Sequence, residues 1–354
     1  MNFNDLLMKF AGVAANNKYL ASIRDAFTDY MPFTIIGAIG TLWTYVIVDG
    51  TSGLGALIPA VQNLSFLNPL FNALNFCTIG CITLGVTFAI GSQIGHRNGQ
   101  NELYCGILAV AALLIVTCST VDPATASTVT LADGTSVSLA DVLPAGAAVS
   151  VIGAIANGNL GATGMFTGMI VGIVSVEILH ALEKVESFKI KLPDAVPPNI
   201  AGSFNALIPS TFTLLIVGGV AFILQMITGN YLNDVIFNVI QAPLQNVGGS
   251  FVGGLVFVII ISLFWCFGLH GNNMTSAVTT PLLTALMLEN EAAVQAGQNP
   301  GNIVNASYWA CFITICGTGI ALAITLATLI AGRREDTRAV AKLSLFPNCF
   351  NINE

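Results

Sequence analysis

Charged residues are scarce in this chain of 354 residues, since only 8% are Asp, Glu, Lys or Arg, whereas about a quarter of the residues are charged in soluble domains. Hydrophobic residues make up 55%, and the mean hydropathy is +0.80. This composition excludes an ordinary soluble globule and predicts an all-α, polytopic protein of the lipid bilayer. The 18 acidic and 11 basic residues leave a net charge of -7, so we expect no nucleic-acid partner.

The motifs of soluble enzymes and of metal sites are also missing. The sequence contains no GxxxxGK(S/T) phosphate-binding loop and no HExxH zinc motif, which argues against an ATP-driven pump. Its eight cysteines form no CxxC pair and no cluster with histidine. We therefore expect no metal site and no cofactor, and we interpret the cysteines as small apolar residues. The first 25 residues lack the apolar core of a secretory signal.

Basic residues are confined to four short segments, at residues 9–24, 97, 184–191 and 333–342. The positive-inside rule places such segments on the cytoplasmic side of the membrane. We therefore expect a cytoplasmic N-terminus and an even number of spans between successive basic segments.

About eight segments are apolar enough to span the membrane. Three clear candidates lie between the last two basic segments, where parity requires two or four. We take the fourth to be 275–288, which is short, contains Pro281 and follows a histidine loop. We predict that this segment is broken or re-entrant, because unwound backbone at membrane depth is tolerated only where it lines a cavity. The predicted spans are 30–48, 73–91, 105–121, 160–182, 207–227, 251–269, 275–288 and 307–330.

The segment 232–244 has an amphipathic pattern, with its apolar residues on one helical face and its amides off that face. Two interpretations stay open: a helix along the bilayer surface, or an ordinary amphipathic connector, which is the stronger of the two. The apolar face consists of Val235, Ile236, Val239 and Ile240, and the amides are Asn233, Asn238 and Gln241.

His270 stands alone in an apolar region. It is the only histidine between Lys191 and Arg333, and no lysine or arginine lies between those two residues. A titratable side chain in such a region is a functional-site candidate, because burying it costs free energy unless it has a partner. The alternative is a histidine at a span end, bonded to backbone carbonyls. Nearby Asn272 and Asn273 carry uncharged hydrogen-bonding groups that suit a hydroxyl-rich ligand.

Six ordered stretches point to a known family. They are IRDAFTDYMPFTIIG at 23–37, LGATGMFTGMIVGIVSVEI at 160–178, KLPDAVPPNIAGSFNALIPS at 191–210, IQAPLQNVGGS at 240–250, LFWCFGLHGNN at 263–273 and FNINE at 350–354. Together they resemble the permease component (enzyme IIC) of the lactose, cellobiose and diacetylchitobiose branch of the sugar phosphotransferase system. The order and spacing of the stretches extend through almost the whole chain.

The resemblance implies a homodimeric, multi-pass permease of the bacterial plasma membrane. In such a protein an N-terminal transmembrane half, here 1–230, forms the dimer, and a C-terminal half, here 231–354, binds and transports the sugar. The implied substrate is an external disaccharide of the cellobiose, lactose or chitobiose class. The implied partner is a phosphorylated IIB protein that donates the phosphoryl group in trans, because no cysteine here lies in a soluble phosphate-binding loop.

The resemblance also implies the site residues. The catalytic pair would be His270, within GLHG, and Glu354, within NINE. A carboxylate can accept the proton of the attacking sugar hydroxyl, and an imidazole can orient or share that proton. His270, Glu354, Asn272, Asn273 and Asn205 form the predicted substrate-binding set.

The C-terminal end departs from the family pattern. The family has ten spans, and its NINE motif continues into a proline and further spans, whereas this sequence stops at Glu354. We therefore expect an incomplete C-terminal half, with phosphotransferase activity alongside IIB only if that part were complete. Two alternatives to a phosphotransferase permease stay open. One is an ion-coupled secondary sugar transporter, and the other is a truncated remnant that inserts and dimerises without transport.

Overall fold

The computed structural model describes residues 17–51, 53–117, 151–188, 198–266, 270–314 and 321–349, together with Gly12, residue 190 and three two-residue strands between 120 and 137. Most of these residues are helical, which confirms the predicted all-α class. The chain divides into two compact units. The N-terminal unit is Asp25–Ile240, and the C-terminal unit is Gln241–Glu354 with Met1–Arg24. Dimerisation and sugar binding by the halves 1–230 and 231–354 stay predictions.

The α-helices of the described residues are numbered here in chain order. The first eight are α1 (Lys18–Leu42), α2 (Leu54–Leu57), α3 (Pro59–Gln62), α4 (Asn68–Asn75), α5 (Ile82–Asn98), α6 (Glu102–Val116), α7 (Asn157–Leu160) and α8 (Met165–Glu183). The others are α9 (Pro198–Thr228), α10 (Leu232–Ile236), α11 (Ala242–Gly248), α12 (Phe251–Cys266), α13 (Gly271–Gln295), α14 (Ala306–Tyr308), α15 (Ala321–Ala331) and α16 (Glu335–Cys349).

Other elements are short. The π-helical turns are Trp43–Ile47, Phe76–Gly80, Phe237–Gln241 and Trp309–Ile313, and the 3₁₀ turns are Asn63–Leu67, Ala162–Gly164 and Glu186–Phe188. Two antiparallel strand pairs join β1 (Thr120–Val121) to β4 (Val151–Ile152) and β2 (Val129–Thr130) to β3 (Ser136–Val137).

Three helical stretches of the described residues are long and apolar enough to cross a bilayer: Lys18–Ile47, Ala162–Glu183 and Phe204–Thr228. Two bent pairs pass the same test together. Pro59–Gly80 meets Ile82–Asn98 at 41°, and Leu232–Gly248 meets Phe251–Trp265 at 79°. Helices α6 and α15 are apolar but shorter. The count of about eight spans therefore stays a prediction, and part of the predicted span 307–330 lies outside the described residues.

The prediction of a broken span at 275–288 was wrong. Helix α13 runs without interruption through 25 residues and contains Pro281 in its interior. Proline removes one helical hydrogen bond at a cost of about 3 kcal/mol. Leu282, Leu283 and Leu286 pack into a buried cluster directly beyond it, and their burial offsets that cost. A 3.6-residue periodicity therefore continues through the proline.

Burial along 232–244 favours the amides over most of the predicted apolar face, and the two interpretations of this segment stay predictions. Asn233 is 2% exposed and Gln241 is fully buried, whereas Val239 is 67% exposed. Within the N-terminal unit, Asn233 accepts a hydrogen bond from Thr167 Oγ1 at 2.7 Å and donates to Asn159 Oδ1 at 2.9 Å. In a membrane protein the surroundings are themselves apolar, so amides turn inward to find partners.

Small residues bring the helices of the N-terminal unit close together. A Cβ atom on Gly91 of α5 would lie 2.6 Å from the Cβ of Ala109 on α6, so this contact requires glycine. Helices α6, α8 and α9 then share a buried cluster. Its members are Ala112, Leu113, Val116, Val171, Val217 and Ala221.

The C-terminal unit has its own apolar core, formed by α12, α13 and the segment 304–309. Leu282 is fully buried there, and a Cβ on Gly248 would lie 2.2 Å from its Cδ2 atom. Glycine at the end of α11 therefore makes room for this leucine. The cluster consists of Ile261, Leu282, Leu283, Leu286, Val304 and Trp309.

Candidate functional site

His270 begins helix α13. Its backbone is extended, with φ -69° and ψ 94°, and its Nδ1 atom accepts a hydrogen bond from the N–H of Asn273 at 3.2 Å. The side chain thus caps the helix N-terminus, where free N–H groups need acceptors. Because Nδ1 accepts this bond, the neutral imidazole carries its proton on Nε2 and is a donor there. His270 therefore lies at a helix start. Its Nδ1 atom is bonded to a backbone N–H, and not to a backbone carbonyl as the alternative interpretation had it.

Trp265 lies beside His270. The two ring centroids are 4.6 Å apart at an interplanar angle of 49°. The indole N–H of Trp265 is buried and meets no acceptor among the residues that the structure describes. Gly271 leaves room for the indole, since a Cβ there would lie 2.8 Å from Cδ1 of Trp265 and 2.3 Å from the carbonyl oxygen of Ile261. The helix start consequently presents an imidazole together with an indole donor that has no protein acceptor in the described part of the chain.

A cleft of about 270 Å³ begins in the first turn of α13 and lies between this helix and the segment 306–314. Among the described residues the lining consists mostly of amides, hydroxyls and small side chains, with one indole and no charged group. Such groups suit a neutral, hydroxyl-rich ligand. The lining residues are Asn272, Asn273, Ser276, Thr279, Thr280, Leu283, Thr284, Ala306, Trp309, Ala310 and Thr314.

The second wall of the cleft is anchored to the far end of α13. The side chain of Asn290 donates to the carbonyl of Asn302 at 2.7 Å and accepts from its N–H at 2.9 Å. Asn302 also donates to Glu289 Oε2 at 3.0 Å. Asn305 caps α14 by accepting from the N–H of Tyr308 at 3.0 Å. These bonds fix where the segment carrying Trp309 starts.

Replacing Asn290 with alanine should lower the free energy of unfolding by about 1–3 kcal/mol, because both backbone groups of Asn302 lose their partner. Thermal unfolding of the purified protein in detergent measures the effect. Gln295→Ala is the matched control on the same helix, since Gln295 is exposed and its side chain donates to Glu291 Oε1 at 3.3 Å without contacting the backbone of Asn302. Equal melting temperatures for the two variants would contradict the anchoring role.

The structure brings together three of the five predicted site residues. Asn272 and Asn273 line the cleft, and His270 is bonded to the backbone of Asn273. Asn205 belongs to α9 of the N-terminal unit, where its Oδ1 atom is buried without a partner among the described residues. Glu354 lies outside the described residues. Its predicted catalytic role and the substrate-binding role of all five residues stay predictions.

The other residues that line the cleft were not predicted from the sequence. Ser276, Thr280 and Thr284 follow Asn273 on one face of α13, at helical spacing. That spacing was available as a signal, although Thr284 lies on the same face only if the helix continues through Pro281. Trp309 belongs to a different segment, and no sequence pattern linked it to α13.

Comparison with known proteins gives a consistent result. The family model "Phosphotransferase system, EIIC" matches residues 24–354. The chain is 31% identical over 352 residues to the oligo-beta-mannoside-specific EIIC component of Bacillus subtilis, covering 99% of this chain and 73% of that protein. It is 30% identical over 356 residues to the cellobiose-specific EIIC component of Geobacillus stearothermophilus, again covering 99% and 73%.

A solved structure agrees with these sequence matches. The crystal structure of the transporter ChbC, the IIC component from the N,N'-diacetylchitobiose-specific phosphotransferase system, superposes with a TM-score of 0.83 at 28% identity. The match covers 98% of this chain and 75% of that one. Because the family model and the relatives match almost the whole sequence, and the fold matches as well, the chain belongs to the EIIC family of sugar permeases of the phosphotransferase system.

Proposed function

We propose that this EIIC permease binds an external disaccharide, carries it across the plasma membrane and presents it to a phosphorylated IIB protein. The uncharged cleft beside His270 is the observation that carries the proposal, because its amides and hydroxyls match a sugar. Relatives are named for oligo-beta-mannoside, cellobiose and lactose. A β-linked disaccharide such as cellobiose is accordingly the substrate class we propose.

The proposed chemistry is phosphoryl transfer to a sugar hydroxyl. The hydroxyl oxygen attacks phosphorus on the IIB phosphocysteine, the S–P bond breaks, and the cysteine leaves as a thiolate. Glu354 would accept the hydroxyl proton. His270 would donate from Nε2 to the reacting oxygen and so hold the hydroxyl in line with the phosphoryl group, since its Nδ1 is engaged by the Asn273 N–H.

Orientation and assembly form a further part of the proposal. We place the N-terminus in the cytoplasm, following the positive-inside rule. Polar contacts within the N-terminal unit support placing the early basic segments on the same side of the membrane. Arg97 pairs with Asp25 at 2.5 Å, and Asn98 donates to Glu177 at 3.3 Å. A homodimer formed through the N-terminal half, with movement of the C-terminal half during transport, completes the proposed cycle.

Uptake into proteoliposomes tests the proposed function. With phosphorylated IIB enclosed in the lumen, radiolabelled cellobiose should accumulate as the sugar phosphate. With unphosphorylated IIB no phosphorylated product should form, because the phosphoryl donor is missing. Accumulation of unmodified cellobiose driven by an ion gradient, without IIB, would instead establish a secondary transporter. A protein that neither binds nor takes up the sugar would contradict the proposed function.

A further inference from the structure

Helices α15 and α16 form an antiparallel hairpin in the C-terminal unit. Near the connection between them, Arg338 Nη2 donates to the carbonyl of Leu329 at 3.2 Å. Far from it, Asn348 Nδ2 donates to Thr325 Oγ1 at 2.7 Å. Helix α16 therefore runs back along the apolar helix α15 from the connection at 332–334. Charged residues are costly inside a bilayer, so we expect the charged connection at the membrane surface.

Positive charge is concentrated at the connection and in the first turns of α16. Arg333 and Arg334 lie in the connection, and Arg338 and Lys342 follow at a spacing of four residues on one face of the helix. All four side chains are exposed. Four basic and two acidic residues between 333 and 342 leave an excess of two positive charges. This end of the hairpin is therefore a cationic patch.

Two of the basic side chains are already engaged. Arg334 pairs with Asp336 at 2.5 Å, and Arg338 bonds a backbone carbonyl of α15. In contrast, the side chains of Arg333 and Lys342 form no ion pair or hydrogen bond with any residue that the structure describes. An anion at this end of the hairpin would thus meet two cationic groups that are available to it.

Exposed apolar side chains lie on both helices beside the cationic patch. Ile330, close to the end of α15, is 84% exposed, and Val340 and Leu343 of α16 are 64% and 80% exposed. On a membrane protein such side chains contact the acyl chains of lipids. Lys342 lies between Val340 and Leu343 in sequence, and a lysine in such a place extends its ammonium group from an apolar surface to the headgroups.

An anionic phospholipid matches both features of the hairpin. Its phosphate group accepts hydrogen bonds from guanidinium and ammonium groups, and its acyl chains cover exposed apolar side chains. A soluble acidic protein would match the positive charge but would leave the apolar side chains uncovered. The combination of charge and apolar exposure therefore favours a lipid over a soluble partner.

We propose that the hairpin of α15 and α16 binds an anionic phospholipid. Arg333 and Lys342 bind its phosphate group, and its acyl chains contact Ile330, Val340 and Leu343. By the positive-inside rule this lipid belongs to the cytoplasmic leaflet. The inference does not depend on which sugar the permease binds or on the catalytic roles proposed above.

Native mass spectrometry of the full chain in detergent, titrated with phosphatidylglycerol or with zwitterionic phosphatidylcholine, tests the site. We expect the unaltered protein to bind phosphatidylglycerol preferentially. The double variant R333Q/K342Q removes both available charges and should raise the Kd for phosphatidylglycerol roughly tenfold or more, because each basic residue near a membrane surface adds to the attraction of anionic lipid. Its Kd for phosphatidylcholine should stay unchanged.

A matched control removes two positive charges elsewhere. R24Q/K184Q should bind phosphatidylglycerol like the unaltered protein, because Arg24 and Lys184 each follow or precede an acidic residue, Glu183 or Asp25, in the sequence. The charge-conserving variant R333K/K342R should retain the preference for phosphatidylglycerol. Melting temperatures of all variants show whether a loss of binding comes from a loss of folding.

Three results would overturn the lipid site. One is equal binding of the two lipids by the unaltered protein, or equal binding of phosphatidylglycerol by R333Q/K342Q and the control. Another is displacement of the bound lipid by glycerol 3-phosphate, which has no acyl chains and would identify a plain anion site. The third is a loss of IIB binding in R333Q/K342Q with unchanged lipid binding, which would make the cationic patch a docking surface for IIB.

Discussion

Replacing His270 with asparagine should lower IIB-dependent sugar phosphorylation by roughly 100-fold or more, with little change in stability. Asparagine is a preferred N-cap residue, so it can replace Nδ1 as the acceptor for the Asn273 N–H. It cannot place a donor where the imidazole Nε2 lies. The loss of a positioned group acting on the transferred proton or the reacting oxygen typically costs about 10²–10⁴ in rate.

The measurement is the initial rate of cellobiose phosphate formation in proteoliposomes, together with the melting temperature. His96→Asn is the matched control, because His96 is exposed and pairs with Glu102 at 2.6 Å in the N-terminal unit. His270→Ala should lose the same rate and, in addition, about 0.5–2 kcal/mol of stability from the missing cap. A His270→Asn protein with the unaltered rate would show that the imidazole serves only as a cap.

Truncating Leu282 to alanine should have the largest effect on stability, about 2–5 kcal/mol. Leu282 is fully buried at the centre of the C-terminal core. Its side chain fits against Gly248, so the cavity left by alanine has rigid walls and closes poorly. Its neighbour Leu283 lines the cleft, so we expect sugar binding to weaken as the core loosens.

Unfolding in mixed detergent micelles measures this change. Leu255→Ala is the matched control in the same unit, since Leu255 is 48% exposed. A leucine on the outer surface of a membrane protein contacts lipid, and its truncation removes few protein contacts. Similar losses for the two variants would contradict the buried cluster as the main source of stability in this unit.

The fold class could be predicted from the sequence. Scarce charge and long apolar segments predicted a helical membrane protein, whereas the topology inferred from the basic residues stays a prediction. Ordered stretches around His270 and the NINE segment indicated the family. The expected break at Pro281 was wrong because the residues next to it in sequence do not decide helix continuity alone. The burial of Leu282, Leu283 and Leu286 just beyond the proline offsets the free energy that the proline costs.

The candidate site could be predicted only in part. His270, Asn272 and Asn273 were identified because they interrupt an apolar region, which is a local feature of the sequence. Thr284 was missed because it lies beyond the break expected at Pro281, and Thr280 was missed because no sequence pattern showed that the segment 306–314 lies opposite it. The role of Trp309 depends on a contact between segments distant in sequence, which composition and periodicity do not report.

The sequence by itself determined that this protein is a helical sugar permease of the EIIC family and that a lone histidine marks its candidate site. These conclusions depend on composition, charge distribution and ordered motifs, which are properties of the chain before it folds. Only the tertiary structure decided that α13 is continuous, that Asn233 and Gln241 face inward, and that Trp309 closes a cleft against Thr280 and Thr284. Periodicity identifies two faces of a helix, but the packing partners and the apolar surroundings determine which face is buried.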